Sequence, residues 1–277
     1  NASWRFFIDS RFNNMKGTLF FQSTRHNNDW GMNAQSDSAS SRSGDQATST
    51  DEDRQSKKLE LTTSLSRSGL DRRLIRVQRD VLKMGALVEN SCLLAREALC
   101  GRDLDAAKKI PIQDKEIDSL YRQIEVDCTT LLTLEAPVMQ DLRLVSAFMQ
   151  MVRDLERIGD YTKSIGNSAI KLFPYPVHEY MAEVETMLDR CRSMVALCLR
   201  SLSELDPDAG LELKRKDDVV DDDYDRIYQQ LIDTQPTGGS VEPIILMVLV
   251  IRALERIADH ATNVGKRVSY VVTGVRS

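Results

Sequence analysis

Four pairs of acidic residues, each with two carboxylates four positions apart, are the feature of this sequence most suited to chemistry. The pairs follow the pattern Asp/Glu-x-x-x-Asp and are Asp114/Asp118, Glu156/Asp160, Asp221/Asp225 and Glu255/Asp259. On an α-helix, residues at this spacing are neighbours with Cβ atoms about 5–6 Å apart, so each pair directs two carboxylates to one place. Because like charges at this spacing repel each other, their recurrence suggests a shared function.

The residues alone leave two interpretations of these carboxylates open. In the first, they lie on a solvated helix face and form ion pairs with four arginines, Arg153, Arg157, Arg252 and Arg256. In the second, they hold metal, because clustered carboxylate oxygens suit hard cations such as iron(III), manganese(II) or magnesium. Glu156 and Glu255 each follow an apolar residue, Val152 and Ile251, by four positions, which places both at the rim of the core. An unpaired charge there is costly, which favours a bound cation.

The elements that position these pairs are predicted to be helices in two similar halves. Residues 153–160 read RDLERIGD and residues 252–259 read RALERIAD, with an offset of 99. Residues 118–121 read DSLY and residues 225–228 read DRIY, each four residues after another aspartate, with an offset of 107. The sequence therefore predicts a duplicated unit that carries acidic pairs on its second and third helices, with the second half eight residues shorter between its motifs.

Apolar periodicity and helix-breaking residues predict six helices, at residues 71–101, 103–134, 137–173, 177–205, 208–233 and 243–274. The predicted fold is all-α, with two tandem three-helix bundles at residues 69–174 and 175–277. The molecule is expected to be elongated, because a 30-residue helix is about 45 Å long. Residues 34–57 contain no large apolar side chain, so residues 1–68 are expected to be a disordered or non-native extension that folding does not require.

Charge, cysteine content and motifs exclude several classes of function. A net charge of −5 argues against non-specific nucleic-acid binding, and five scattered cysteines indicate reduced thiols. The longest apolar run, residues 244–251, is too short to span a membrane. The sequence contains no P-loop, His-Glu-x-x-His motif or nucleophile elbow, so no enzymatic activity is expected. His260 follows Asp259 directly but points elsewhere on the helix, so it is not an expected ligand.

Three runs resemble the signature of the PhoU family: APVMQDLR at 136–143, RDLERIGDYTKSI at 153–165 and RALERIADHATNV at 252–264. The chain from residue 70 to 274 is similar to that family end to end, and most resembles its cyanobacterial members. It departs from the family pattern in two places. Ser164 replaces the asparagine that is usual at this position and that the second half retains as Asn263, and the N-terminal extension has no counterpart in the family pattern. The resemblance implies multinuclear metal clusters, iron first and manganese or magnesium otherwise, on the eight carboxylates named above.

The resemblance also implies a function. It predicts a non-enzymatic negative regulator of phosphate uptake and phosphate-starvation signalling. Its expected partners are the ATPase of the phosphate ABC transporter and the phosphate-sensing histidine kinase. The protein is expected to be a cytoplasmic homodimer that reaches the inner face of the membrane by binding these partners. Two alternatives stay open, a metal-dependent phosphate-binding protein and a di-metal carboxylate oxidoreductase. The second expects Glu-x-x-His pairs, which the four motifs lack.

Overall fold

The computed structural model describes residues 47–235 and 240–275, with side chains from residue 69 onward. These residues form six helices and no strand, which confirms the predicted all-α class. The helices are α1 (Ala47–Leu99), α2 (Leu104–Glu135), α3 (Met139–Leu172), α4 (Met181–Glu204), α5 (Ala209–Asp233) and α6 (Glu242–Thr273). None of the described helices has a stretch that is long and apolar enough to cross a bilayer.

Helix α1 begins at Ala47, well before the predicted start at residue 71. No glycine or proline lies between Gly44 and Gly69, and the intervening glutamine, lysine, arginine and leucine residues favour helix. The prediction considered only whether this stretch could bury apolar surface, which does not decide its backbone conformation. A first unit spans Asn1–Thr63, and the second, compact unit spans Ser64–Ser277. Residues 1–46 of the predicted extension lie outside the described residues.

Deleting residues 1–63 is expected to change the melting temperature by no more than about 1 °C, because the compact unit begins at Ser64. A matched control deletes residues 1–77 and so removes Leu74 and Val77, which are buried. The control should melt lower by roughly 5 °C or more, from the lost apolar burial. Thermal unfolding followed by circular dichroism measures both. A fall of several degrees in the first truncation would contradict the prediction.

The helix ends follow local sequence signals. Asp103 caps α2, where its Oδ1 accepts hydrogen bonds from the backbone N–H groups of Asp105 and Ala106 at 2.8 and 3.1 Å. Gly274 ends α6 with a φ of 75°, a left-handed conformation that glycine adopts without strain. The turns after α1 and α4 each place a non-glycine residue in the same left-handed region, at Arg102 and Leu205 with φ values of 54° and 51°. These two turns occupy corresponding places in the two halves.

One hydrophobic core contains buried side chains from all six helices. Helices α3 and α6 pack against each other, α2 packs on α3, α5 packs on α6, and α4 packs on both α5 and α6. Helix α1 joins α3 through a 2.7 Å hydrogen bond between the Ser91 and Thr162 hydroxyls, and α4 through Arg96 and Asp189. The two predicted bundles therefore share one core. The boundary between them near residue 174 stays a prediction.

The two halves match at a register that differs from the predicted one by a helical turn. A Cβ atom added to Gly166 of α3 would lie 2.8 Å from Cδ1 of Ile110 on α2, so the helices approach closely there. Gly265 of α6 approaches Leu213 of α5 in the same way. Because Gly166 and Gly265 are 99 positions apart, Ile110 and Leu213 occupy equivalent places at an offset of 103.

This register pairs Asp114 with Asp217 and Asp118 with Asp221. The predicted pairing of Asp118 with Asp225, at an offset of 107, is wrong. A slip of four residues moves a side chain by about one turn along the same helix face, so apolar periodicity alone fits either register. The second half is therefore one turn shorter between its motifs, rather than two.

Candidate functional site

The first acidic cluster lies between α2 and α3 and contains the four carboxylates predicted for the first half. The side chain of Asp114 is buried, and its Oδ2 accepts a 2.6 Å hydrogen bond from Nζ of Lys163. The same ammonium lies 3.9 Å from Oδ1 of Asp160. Asp118 and Glu156 complete the cluster, and their negative charges interact across the two helices. The structure thus gathers these side chains around a lysine.

Burial is the largest cause that raises the pKa of Glu156, and the negative charge of Asp160 adds to it. Arg157 opposes this shift; its guanidinium nitrogens lie 3.7 Å from Glu156 Oε2 and 3.7 Å from Asp160 Oδ2. Asp118 raises the pKa of Glu156 further. A raised carboxyl pKa means that the surroundings disfavour the negative charge. The first cluster therefore favours a proton or a cation at Glu156.

The second acidic cluster lies between α5 and α6. It consists of Asp217 and Asp221 on α5 and of Glu255 and Asp259 on α6, whose charges interact with one another. The Asp217 side chain is 6% exposed, and its Oδ2 accepts a 3.3 Å hydrogen bond from Nζ of Lys214, one turn earlier on α5. By the structural register, this cluster is the counterpart of the first.

Burial raises the pKa of three carboxyl groups in the second cluster. It is the largest cause for Asp217 and for Asp221, and the negative charges of Asp217 and Asp259 raise the pKa of Asp221 further. For Glu255, burial outweighs the opposite effect of two neighbouring arginines. At neutral pH these carboxylates are held in surroundings that disfavour their charge, and a bound cation would relieve this.

The structural register places Asp217 in the second cluster, at the position for which the sequence analysis named Asp221, and leaves the predicted Asp225 outside it. Asp225 lies one turn farther along α5 than Asp221 and is not one of the main causes of the raised pKa of Asp221 or Glu255. Asp217 and Asp221 also form an Asp-x-x-x-Asp pair, so the α5 sequence offered two overlapping choices. The close contact of Gly265 with α5 is the signal that separates them.

Three of the four arginines of the first interpretation, all except Arg153, form ion pairs with these carboxylates among the described residues. Arg252 Nη1 lies 2.8 Å from Glu255 Oε1, and Arg256 Nη1 lies 2.9 Å from Asp259 Oδ2. Arg157 is placed similarly in the first cluster. All three side chains are 40% or more exposed, so each pair contributes only about 0–1 kcal/mol. The arginines cover the outer side of the clusters and leave buried oxygens inside.

Two carboxylate oxygens of the second cluster, Asp217 Oδ1 and Glu255 Oε2, are buried and accept no hydrogen bond from any described residue, although Glu255 Oε2 lies 3.5 Å from Nε of Arg256. A buried acceptor without a donor is costly, and a hard cation would satisfy it. The described side chains do not, as placed, bring three or more acidic, histidine or cysteine groups together at metal-binding distance. The carboxylate oxygens are of the type that hard cations prefer, but ligation would require side-chain movement within the cluster.

The halves that carry the two clusters correspond to two copies of a known domain. The family model described as PhoU domain matches residues 81–169 and 184–268. This chain belongs to the PhoU domain family. The two matches begin 103 residues apart and end 99 residues apart, which agrees with the structural register of the two halves. The resemblance found in the sequence is thereby confirmed.

PhoU relatives cover most of the chain. A phosphate-specific transport system accessory protein PhoU homolog from Synechocystis is 54% identical over 210 residues, which are 76% of this chain and 94% of the relative. The accessory protein PhoU of Escherichia coli is 28% identical over 199 residues, 72% of this chain and 83% of its own. The crystal structure of PhoU from Pseudomonas aeruginosa matches with a TM-score of 0.72 at 29% identity, covering 74% of this chain and 99% of that one. The crystal structure of the phosphate transport system regulatory protein PhoU from Streptococcus pneumoniae matches with a TM-score of 0.70 at 27% identity, covering 75% of this chain and 99% of that one.

Proposed function

We propose that this chain is an accessory protein of a phosphate transport system that represses phosphate uptake and phosphate-starvation signalling by binding partners, without catalysing a reaction. The observation that carries the proposal is the PhoU domain match in both halves, together with the Synechocystis relative that is 54% identical. The partners would be the ATPase of the phosphate ABC transporter and the phosphate-sensing histidine kinase, met by a homodimer in the cytoplasm. The long helices offer extended faces of the kind that bind partner helices.

A hard cation at the acidic clusters would make this binding depend on metal. Asp217, Asp221, Glu255 and Asp259 would hold it in the second cluster, which fits best because it contains the buried oxygens without donors. Iron is the first candidate, with manganese or magnesium as alternatives. The cation would supply positive charge that relieves carboxylate repulsion and links α5 to α6. It would also change the charge of the surface that a partner meets.

A second candidate is a protein that binds phosphate through cations held by the clusters. The observation that favours it is the access of solvent to the outer carboxylates, because the side chains of Asp160 and Asp259 are both 39% exposed. A di-metal oxidoreductase is not supported. His260, the histidine beside the second cluster, contacts Asp154 through Nδ1 at 2.9 Å.

The test of the proposed function is complementation of a bacterium that lacks its own PhoU protein. With the chain expressed, phosphate uptake and a starvation-induced reporter should both fall at high external phosphate. Purified protein, with and without Mn²⁺, is then titrated with the transporter ATPase and with inorganic phosphate. Unrepressed uptake despite a folded, abundant protein would contradict the regulatory proposal. Binding of phosphate without binding of the ATPase would favour the second candidate.

A further inference from the structure

The two acidic clusters differ at a residue that lies among the carboxylates. Lys163 of α3 and Thr262 of α6 occupy corresponding positions, 99 residues apart. The Lys163 ammonium donates a 2.6 Å hydrogen bond to the buried Asp114 and lies near Asp160. Thr262 is buried, carries no charge, and its Oγ1 finds no hydrogen-bond partner within the described part of the chain. The first cluster thus contains a cation of its own, and the second does not contain one at this position.

The lysine that the second cluster does have is placed differently. Lys214 approaches from one turn earlier on α5 and shares its ammonium between Asp217 Oδ2, at 3.3 Å, and the exposed Asp218, at 2.8 Å. It leaves Asp217 Oδ1 without a donor among the residues described. The corresponding position in the first half is Pro111, which carries no charge. Lys266 of α6 also interacts with the charge of Asp217, but among the described residues only Lys163 donates a hydrogen bond to the buried carboxylate of its cluster from the facing helix.

A tethered ammonium and a metal ion compete for the same carboxylates. A metal entering the first cluster would have to displace Lys163 from Asp114 and leave that ammonium beside a second positive charge. A metal entering the second cluster would displace the exposed Arg252 and Arg256 side chains from Glu255 and Asp259, but it would also meet the buried Asp217 Oδ1, which has no donor to lose. Repulsion and lost hydrogen bonding thus both oppose metal in the first cluster.

We propose that Lys163 is a built-in counter-ion that keeps the first cluster free of metal, so that this chain holds metal only in its second cluster. The inference rests on the metal binding put forward above as part of the function. It replaces the expectation of one metal cluster per half with an asymmetric protein. In the first half the Lys163 ammonium neutralises the carboxylates, and in the second half a bound metal ion does so. The partner-facing charge of the second half then varies with metal supply, while that of the first half is constant.

The experiment measures Mn²⁺ binding to the full chain, purified with chelator and then dialysed, by calorimetry and by metal analysis after gel filtration. Glu156→Gln with Asp160→Asn alters the first cluster, and Glu255→Gln with Asp259→Asn alters the second. Lys163→Thr gives the first cluster the residue of the second, and Lys163→Arg is the matched control that keeps the charge. Circular dichroism and melting in chelator establish that each variant is folded.

The wild type and the first-cluster variant should bind equal amounts of Mn²⁺, and the second-cluster variant should bind none. Lys163→Thr should roughly double the bound Mn²⁺, and Lys163→Arg should leave it unchanged. Loss of Mn²⁺ from the first-cluster variant, or an unchanged content in a folded Lys163→Thr protein, would overturn the role of Lys163. If neither the wild type nor any variant binds Mn²⁺ while the wild type still binds its partners, the metal proposal fails and the regulatory one stands.

Discussion

Replacing Asp154 with alanine is expected to lower the free energy of unfolding by about 2–3 kcal/mol, because it leaves the guanidinium of Arg267 and the ring of His260 without their partner. Asp154 is buried in the contact between α3 and α6. Its Oδ1 lies 2.9 Å from His260 Nδ1, and its Oδ2 lies 2.9 Å from Arg267 Nη1. His260 also stacks on Tyr161, with ring centroids 5.8 Å apart. The estimate is below the cost for a fully buried pair, because the His260 and Arg267 side chains are 22% and 26% exposed.

Chemical denaturation of single and double variants measures this effect. Asp225→Ala is the matched control, since it removes an exposed aspartate and should change the free energy of unfolding by less than about 0.5 kcal/mol. Replacing both Asp154 and Arg267 with leucine should recover much of the loss, because no unpaired buried charge then remains. Equal losses in the Asp154 variant and the control would show that this contact does not hold the two halves together.

The helix ends could be predicted because their causes are local. A glycine at 101 and a cap at 103 end one helix and start the next, and prolines at 174 and 176 prevent α3 from continuing. Each of these signals acts through the backbone of its own residue or of its immediate neighbours. The predicted start of α1 was wrong because no local sequence signal marks where this helix begins. The prediction therefore relied on apolar burial, which does not determine where a helix starts.

The contact of Asp154 with His260 could not be predicted from the sequence. These residues are 106 positions apart, and their contact depends on how α3 and α6 pack together. The repeat gave no help, since the counterpart of Asp154 is Ala253 and that of His260 is Tyr161. Features that both halves share could be inferred by comparing the halves. The ion pair of Asp154 with Arg267 joins the two halves and has no symmetric counterpart, and Lys163 occurs in the first half only, so comparison of the halves assigns neither a role.

The four-residue slip in the second half has a direct experimental signature. Asp221 and Asp225 are both exposed aspartates on one face of α5, and partial desolvation and the negative charges of Asp217 and Asp259 raise the pKa of Asp221. If metal binds in the second cluster, Mn²⁺ at a hundredfold excess over its dissociation constant should stabilise the wild type by about 2.7 kcal/mol. Asp221→Asn should abolish this stabilisation, and Asp225→Asn should preserve it. The reverse result would restore the register predicted from the sequence.

Asp221→Asn should also have the opposite effect when chelator removes all metal. The raised pKa of Asp221 means that its charge destabilises the fold at neutral pH, so a neutral amide of the same shape should raise the melting temperature. A carboxyl with a raised folded pKa contributes stability below its unfolded pKa and loses it as the pH rises through the folded one. The advantage of the variant should therefore be present at pH 7 and disappear as acid protonates the wild-type carboxyl. If Asp221 is a metal ligand that repels its neighbours, its replacement should lower stability in the presence of metal and raise it in chelator. If its role is purely structural, its replacement should lower stability under both conditions.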